Sequence, residues 1–295
     1  MEAALNLRLK DDDPWKVTKI AYDIIAAYLQ QPDASVSDTV TALDSLSPGK
    51  RKLEEGEKLE EPASFRLEFW ECFLHIAEQV PFDHPGQERL LALVQGLEKL
   101  PLSATEGEVP GKTIWTHLPE LENSVQFIFK HPSKTEDTFE PYQEYINFNS
   151  FVARLVGTGL LEHCWYFGIW AMRWAWEGPW EGHWDETPVY STDLYTCRIM
   201  TSTQWVQHSG RRLLDRMYES NASKLDRQRY SSPLFKEGEV FCFRRWYHWK
   251  MKLCEASGFH ILEVREAAWR AVERMEDLGR ERRDAIWAGY EPKTQ

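Results

Sequence analysis

Apolar residues along this chain recur at three- and four-residue intervals, and alternation over five or more residues does not occur. Val17, Ile20, Ile24 and Ala27 form one stripe behind Asp13-Pro14. That pair is a helix start, with Asp as the N-cap and Pro at the first helical position. Phe65, Phe69, Cys72 and Ile76 mark a second helix, Leu90 to Leu100 another, and Leu118 to Phe129 a further one. The strongest pattern runs from Phe151 to Trp176. At about 100° per residue, Trp165, Ile169, Met172 and Trp176 share one face, while Leu160, His163, Phe167, Trp170 and Trp174 share the opposite face. A helix apolar on two opposite faces belongs inside a protein, so the pattern predicts one continuous, central, buried helix. Further helices are predicted from about Ser191 to Leu214, from Val240 to Ala256, and from Ile261 to about Ala288.

Between these lie polar breaks. Ser45 to Pro62 has almost no apolar residues and many charges, and reads as a solvated linker or loop. Ser103–Thr113, His131–Pro141, Glu177–Tyr190 and Glu219–Glu239 read as loops, connectors or turns. No Asn-Gly or Asp-Gly hairpin turn and no repeat period is present. The expected fold is therefore all-α: a single globular multi-helix domain over residues 1–295, of nine or ten helices, with a central buried Trp-rich helix and a flexible charged stretch at 45–62 within it.

At 295 residues, with 42% hydrophobic and 28% charged residues, the chain can bury a large core. The net charge of −12 argues against nucleic acid, because the basic pairs are short and interleaved with acids. Met1 to Asp13 lacks a basic segment followed by an apolar one, and no run approaches the roughly twenty apolar residues of a membrane span. The five cysteines are scattered without a CxxC, which suits reduced, mostly buried thiols and predicts a cytoplasmic protein.

Six of the fourteen tryptophans fall between Trp165 and Trp184. They serve either as packing or as the wall of an apolar pocket. On the helix Val240–Ala256, Cys242, Trp246, Trp249 and Leu253 share a face, with Arg244, Arg245, His248, Lys250 and Lys252 around the rest. That side is either solvated or a cationic wall for an anionic group such as a diphosphate. The helix Ser191–Leu214 carries the stripe Leu194, Arg198, Thr201, Trp205 and His208, flanked by Cys197 and Gln204, which lines a pocket or makes a polar helix contact. Glu136, Asp137, Glu140 and Glu144 have a spacing that could hold Mg²⁺, or that simply favours a helix start. His163 and His208 lie on aromatic stripes and read as hydrogen-bonded core histidines or as catalysts. HExxH, GxSxG, P-loop and GxGxxG motifs are absent.

Tyr145-Ile-Asn-Phe-Asn-Ser-Phe-Val-Ala-Arg-Leu and Tyr166-Phe-Gly-Ile-Trp-Ala-Met-Arg resemble the core of a large fungal family of all-helical proteins of unknown function. So do Trp115-Thr-His-Leu-Pro, Thr203-Gln-Trp-Val-Gln-His-Ser-Gly and Arg245-Trp-Tyr-His-Trp-Lys. The resemblance spans about residues 65 to 280. It implies a setting in fungal secondary metabolism and kinship to atypical fungal humulene synthases, which are sesquiterpene cyclases. The chain has neither DDxxD nor N-x-x-x-S-x-x-x-E, so no catalytic residue is carried over from the family.

Two functions follow. One is an atypical class I terpene cyclase, a carbon–oxygen lyase acting on a prenyl diphosphate, farnesyl diphosphate first. Its aromatics would be Trp165, Phe167, Trp170, Trp174, Trp205 and Trp246, its diphosphate ligands Arg154, Arg198, Arg244, Arg245 and Lys250, and its Mg²⁺ ligands Glu136, Asp137, Glu140 and Glu144. The alternative is a non-catalytic helical protein that binds a partner or a small hydrophobic molecule. A cyclase requires acids and cations converging at one mouth of an aromatic cavity, whereas a scaffold has a filled core. Nucleic acid and membrane-span partners are not expected, and a homodimer is left open.

Overall fold

The computed structural model describes residues 4–52, 58–100, 113–129, 140–178, 192–219, 222–236 and 240–288, with the backbone alone at 140, 141, 192, 193 and 285–288. Among these residues there are eleven α-helices and no strand, so the all-α expectation holds. The helices are α1 (Lys16–Gln30), α2 (Val36–Asp44), α3 (Pro62–Gln79), α4 (Gly86–Glu98), α5 (Leu121–Ile128), α6 (Glu140–Gly157), α7 (Trp165–Trp176), α8 (Thr192–Tyr218), α9 (Lys224–Tyr230), α10 (Phe243–Ala256) and α11 (Leu262–Ala288). The chain divides into two compact units, Met1–Pro132 with Gln143–Val152, and Ser133–Tyr142 with Ala153–Gln295.

In the first unit α1 packs on α3, α2 on α4, and α5 on α3. Its interior is aromatic. The Phe69 ring lies 4.8 Å from Trp115 and 5.0 Å from Trp70, and Phe73 lies 5.9 Å from Phe151. The two buried indole N–H groups of this unit, those of Trp70 and Trp115, find acceptors. Trp70 donates to the Pro119 carbonyl at 2.9 Å and Trp115 to Asp44 at 2.8 Å. Asn147 of α6 donates to the Glu78 carbonyl and accepts the Phe82 N–H, both at 2.9 Å, which pins α6 to the corner between α3 and α4. The Trp115-Thr-His-Leu-Pro motif forms a strained bend. His117, Leu118 and Glu120 have φ of 65°, 48° and 67°, and the Leu118 N–H bonds the Trp115 carbonyl at 2.8 Å to hold it.

The structure revises several boundaries in this unit. α1 starts at Lys16, and Trp15 rather than Asp13 occupies the N-cap. α2 was not expected. Its signal is Ser35-x-x-Asp38, where the Ser35 hydroxyl accepts the Asp38 N–H. The stretch from Ser45 is not simply solvated, because Leu46, Ser47 and Pro48 are buried. Its charges are also engaged. Lys50 bonds the buried Asp44 at 2.6 Å and Arg51 forks onto Glu60. A run of charges with few apolar residues reads as linker, yet the buried Asp44 carboxylate needs a cation to satisfy it.

In the second unit α8 is the hub, packing against α7, α10 and α11. Ile199, Trp205, Val206, Leu213 and Leu214 have no exposed surface. Ser209 departs from helical geometry, and its hydroxyl bonds back to the Trp205 carbonyl at 3.0 Å, which bends α8. α7 crosses α8 closely at Gly168, where a Cβ would stand 2.7 Å from the Trp205 ring.

The expected continuous helix Phe151–Trp176 does not exist. α6 ends at Gly157, a short 3₁₀ turn covers Glu162–Cys164, and α7 begins at Trp165. Gly159 takes φ of +85°. The Leu155 carbonyl accepts the N–H groups of both Leu160 and Leu161, and the Thr158 hydroxyl bonds back to Arg154. These are helix-stop devices. The two-faced pattern consequently breaks in phase. Trp165, Ile169, Met172 and Trp176 are buried, whereas Trp170 and Trp174 are half-buried and His163 is exposed. α9 falls inside the expected loop Glu219–Glu239 and starts with a reciprocal Ser223–Asp226 capping box.

One buried ion pair ties α7 to α10. Glu177, directly after α7, receives Arg245 Nε at 2.6 Å and Nη2 at 2.8 Å, plus the Trp249 indole N–H at 2.6 Å. Arg245 also donates to the Val240 carbonyl at 2.5 Å, and both charged side chains are fully buried. Arg173 lies close by and donates to the Arg229 carbonyl at 2.7 Å. Burial and then Arg245 pull its guanidinium down to about 9, with Glu177 opposing. Arg245→Leu strands Glu177 and is expected to cost about 3–5 kcal/mol in urea unfolding. The double change Arg245→Leu/Glu177→Leu should recover part of that loss, and a single-variant loss below about 1 kcal/mol would contradict the assignment. Gly168→Ala, despite its better helix propensity, should lower stability by about 1–3 kcal/mol because the Trp205 ring cannot withdraw.

Candidate functional site

The sequence placed Trp246 and Lys250 on one helix, and the structure sets both beside a groove between α10 and α11 of about 340 Å³. α10 turns Trp246, Trp249 and Leu253 inward, all buried, as their shared face predicts. Its opposite side carries Phe243, Tyr247 and Met251, which are 51%, 51% and 41% exposed despite being large and apolar. The groove's apolar lining is Tyr218, Phe243, Trp246, Tyr247 and Met275. Tyr218 and Phe243 stand 6.0 Å apart, and Lys250 Nζ lies 5.6 Å from the Tyr247 ring. The polar lining is Lys250, Arg280 and Arg283 against Glu276, which Lys250 meets at 3.2 Å. Gly279 leaves the groove open, since a Cβ there would touch nothing within 4 Å. A concave, largely aromatic surface with a few convergent polar groups is the usual form of a small-molecule site.

The other expected site residues go elsewhere. Trp205 is packed in the core against Gly168. Trp165 is buried between Tyr230 and Phe241, with the Arg216 guanidinium 4.2 Å from its ring. Trp170 and Trp174 continue a half-buried ladder from Tyr166, with centroids at 5.2 Å and 6.3 Å. Arg245 was expected in a cationic wall. It is instead internal, because its fork is committed to Glu177. Arg244 is exposed and lies over the Phe235 ring at 5.3 Å. Arg154 and Arg198 stand on α6 and α8. Arg154 is buried and Arg198 half-buried. Of the predicted cations, Lys250 lines the groove and Arg245 is committed to Glu177.

Of the four acids, Glu144 bonds Arg8 at 2.7 Å, Glu140 is described by its backbone alone, and Glu136 and Asp137 lie outside the described residues. Among the described residues no group of three His, Cys, Asp or Glu is placed to hold a metal. The cysteines are free thiols, and burial followed by Glu68 pushes the Cys72 thiol up to about 12, so it is inert. Sequence reading missed Tyr218, Met275, Arg280 and Arg283. The available signal was the exposed Phe243–Tyr247–Met251 stripe, which a polar helix face would not carry.

A family model described as Protein of unknown function (DUF3632) matches residues 70–253. The chain belongs to this family. No curated protein and no solved structure matches it. The DUF3632 region contains the Glu177–Arg245 pair, the strained 117–120 bend, and the α10 wall with Trp246 and Lys250. Met275, Gly279, Arg280 and Arg283 lie beyond it, so α11 completes the groove from outside the DUF3632 region. Among the described residues no helix is long and apolar enough to cross a membrane.

His208 on α8 is half-buried. Burial, then the charge on Arg154, pulls its imidazole from 6.5 to about 3. It is therefore neutral near neutrality. The folded pKa is depressed below the unfolded one, so the unfolded chain takes the proton first. The stability that neutral His208 supports is complete above 6.5 and lost as pH falls toward 3. His208→Gln should flatten the acid limb of urea midpoint against pH, and parallel limbs for the two proteins would refute the assignment.

Proposed function

We propose that this protein binds a small hydrophobic molecule that carries an anionic group, in the groove between α10 and α11. The observation that carries this reading is the lining: five large apolar side chains with three cations against one acid, in a chain of net charge −12. Apolar area removed from water contributes about 25 cal/mol per Å², and a cationic rim adds orientation and attraction for the head group. Prenyl diphosphates are ligands of this class.

A second reading makes the chain an atypical class I terpene cyclase of secondary metabolism, kin to the atypical humulene synthases, acting on farnesyl diphosphate with Mg²⁺. The ladder Tyr166–Trp170–Trp174 supports it, because a run of aromatic rings is what stabilisation of a carbocation requires.

Calorimetric titration with farnesyl diphosphate, farnesol and inorganic diphosphate, each with and without Mg²⁺, tests both readings. Farnesyl diphosphate should bind more tightly than either half alone. Gly279→Leu fills open space on a helix and removes a weak helix former, so it should fold normally. It should also weaken binding at least about tenfold. Absence of any binding heat, or unchanged affinity in Gly279→Leu, rejects the groove. Cyclic products on gas chromatography, formed only with Mg²⁺, would move the function to the cyclase.

A further inference from the structure

A small polar cavity of about 30 Å³ lies within the first unit, between α1, α3 and the chain that precedes α1. Three acids line it, Asp11, Glu68 and Glu71, against one cation, Lys10. Among the described residues neither Glu68 nor Glu71 makes a hydrogen bond or ion pair, with the exposed Lys10 or with any other group. Glu68 is half-buried, and burial, then Glu71 and Asp11, hold its carboxyl above the usual range, with Lys10 opposing. Two further groups of the lining are buried and unsatisfied. The Thr18 hydroxyl, on a residue only 9% exposed, has no hydrogen-bond partner, and neither has Nε2 of His75. His75 Nδ1 is committed to Glu78 at 2.5 Å. In the neutral ring that bond puts the proton on Nδ1 and leaves Nε2 as an acceptor. The cavity therefore concentrates unmatched acceptors and negative charge.

We propose that this cavity binds the ammonium head of a linear primary amine. The head has three N–H donors, which suit the Thr18 hydroxyl oxygen, Nε2 of His75 and a carboxylate of Glu68 or Glu71. Size supports the choice. A water-sized group needs at least about 10–15 Å³. The cavity's 30 Å³ therefore admits an ammonium head but not a quaternary one, and the carbon chain leaves past the exposed Asp11. The same side chains are not clustered as metal ligands. The acids alone would be an ordinary solvated cluster. The buried Thr18 hydroxyl and His75 nitrogen, which no protein group satisfies, make it a site. It shares no residue with the α10–α11 groove, so the two proposals stand or fall separately.

Calorimetric titration of the full chain with propylamine, tetramethylammonium and magnesium chlorides, at matched ionic strength, tests it. Propylamine should bind. Tetramethylammonium, which has no N–H and exceeds the cavity, should not. The pair of changes Glu68→Gln and Glu71→Gln relieves like-charge repulsion, so it should keep the melting midpoint while weakening propylamine binding at least about tenfold. Thr18→Val is the sharper variant. It replaces a buried hydroxyl without a partner by a methyl group of the same shape, so the melting midpoint should hold or rise. Propylamine affinity should nevertheless fall at least about tenfold. A capped Gly-Lys-Gly peptide separates the two sources of such a head group. Its binding assigns a protein lysine, and its failure beside bound propylamine assigns a free amine. Equal binding of propylamine and tetramethylammonium, magnesium binding without propylamine binding, or no binding at all overturns the proposal. So does unchanged affinity in either variant, or a lower midpoint in Thr18→Val.

Discussion

Glu177 and Arg245 are both removed from water, and burying two charges is tolerable only when their hydrogen-bonding capacity is filled. That requirement dictates much of the second unit. The carboxylate must follow α7 directly, Arg245 must sit in the first turn of α10, Trp249 must lie one turn further along, and the Val240 carbonyl must face the remaining guanidinium nitrogen. With α7 and α10 joined in this way, the inward face of α10 is set, and so is its outward face. Phe243, Tyr247 and Lys250 consequently meet α11 across a groove. A second buried guanidinium, Arg173, raises the electrostatic demand on Glu177 and gives it a further neighbour of opposite charge.

The abundance of tryptophan has more than one physical role. Trp70 and Trp115 fill the first unit and bond their N–H groups internally, while Trp205 and Trp249 do comparable work in the second. These rings are packing, and a surplus of tryptophan is to that extent a way to fill wide spaces between helices. Trp170 and Trp174 differ because they are only half-buried, and Trp246 differs because one side of it borders a groove. Functional meaning attaches to the half-buried rings and not to the count.

Charge is likewise arranged rather than merely summed. The acids dominate overall, yet the described lining of the α10–α11 groove has more cations than acids. A net charge reports solubility and average repulsion. Local excess of the opposite sign is what selects a ligand.

The all-α class, the approximate places of most helices and the inward face of α10 were legible in the sequence, because helical periodicity is local and Trp246, Trp249 and Leu253 repeat with it. The stop at Gly159 was less legible. Apolar residues continue across it, and only the positive φ and the bonds onto Leu155 reveal the break. The short helices α2 and α9 were signalled by Ser-x-x-Asp caps, though too few apolar positions followed to show a stripe. Ion-pair partners were not legible at all. Helical phase sets Arg245 one turn before Trp249 and Arg244 away from it, but nothing local names Glu177, 68 residues earlier, as the partner. The same holds for the joining of Trp246 with Met275 and Gly279. Hydrophobic pattern marks most of the residues that avoid water. Which charges compensate each other, and which surfaces leave a space between them, depends on contacts between segments far apart in the chain, and only the tertiary structure makes those contacts.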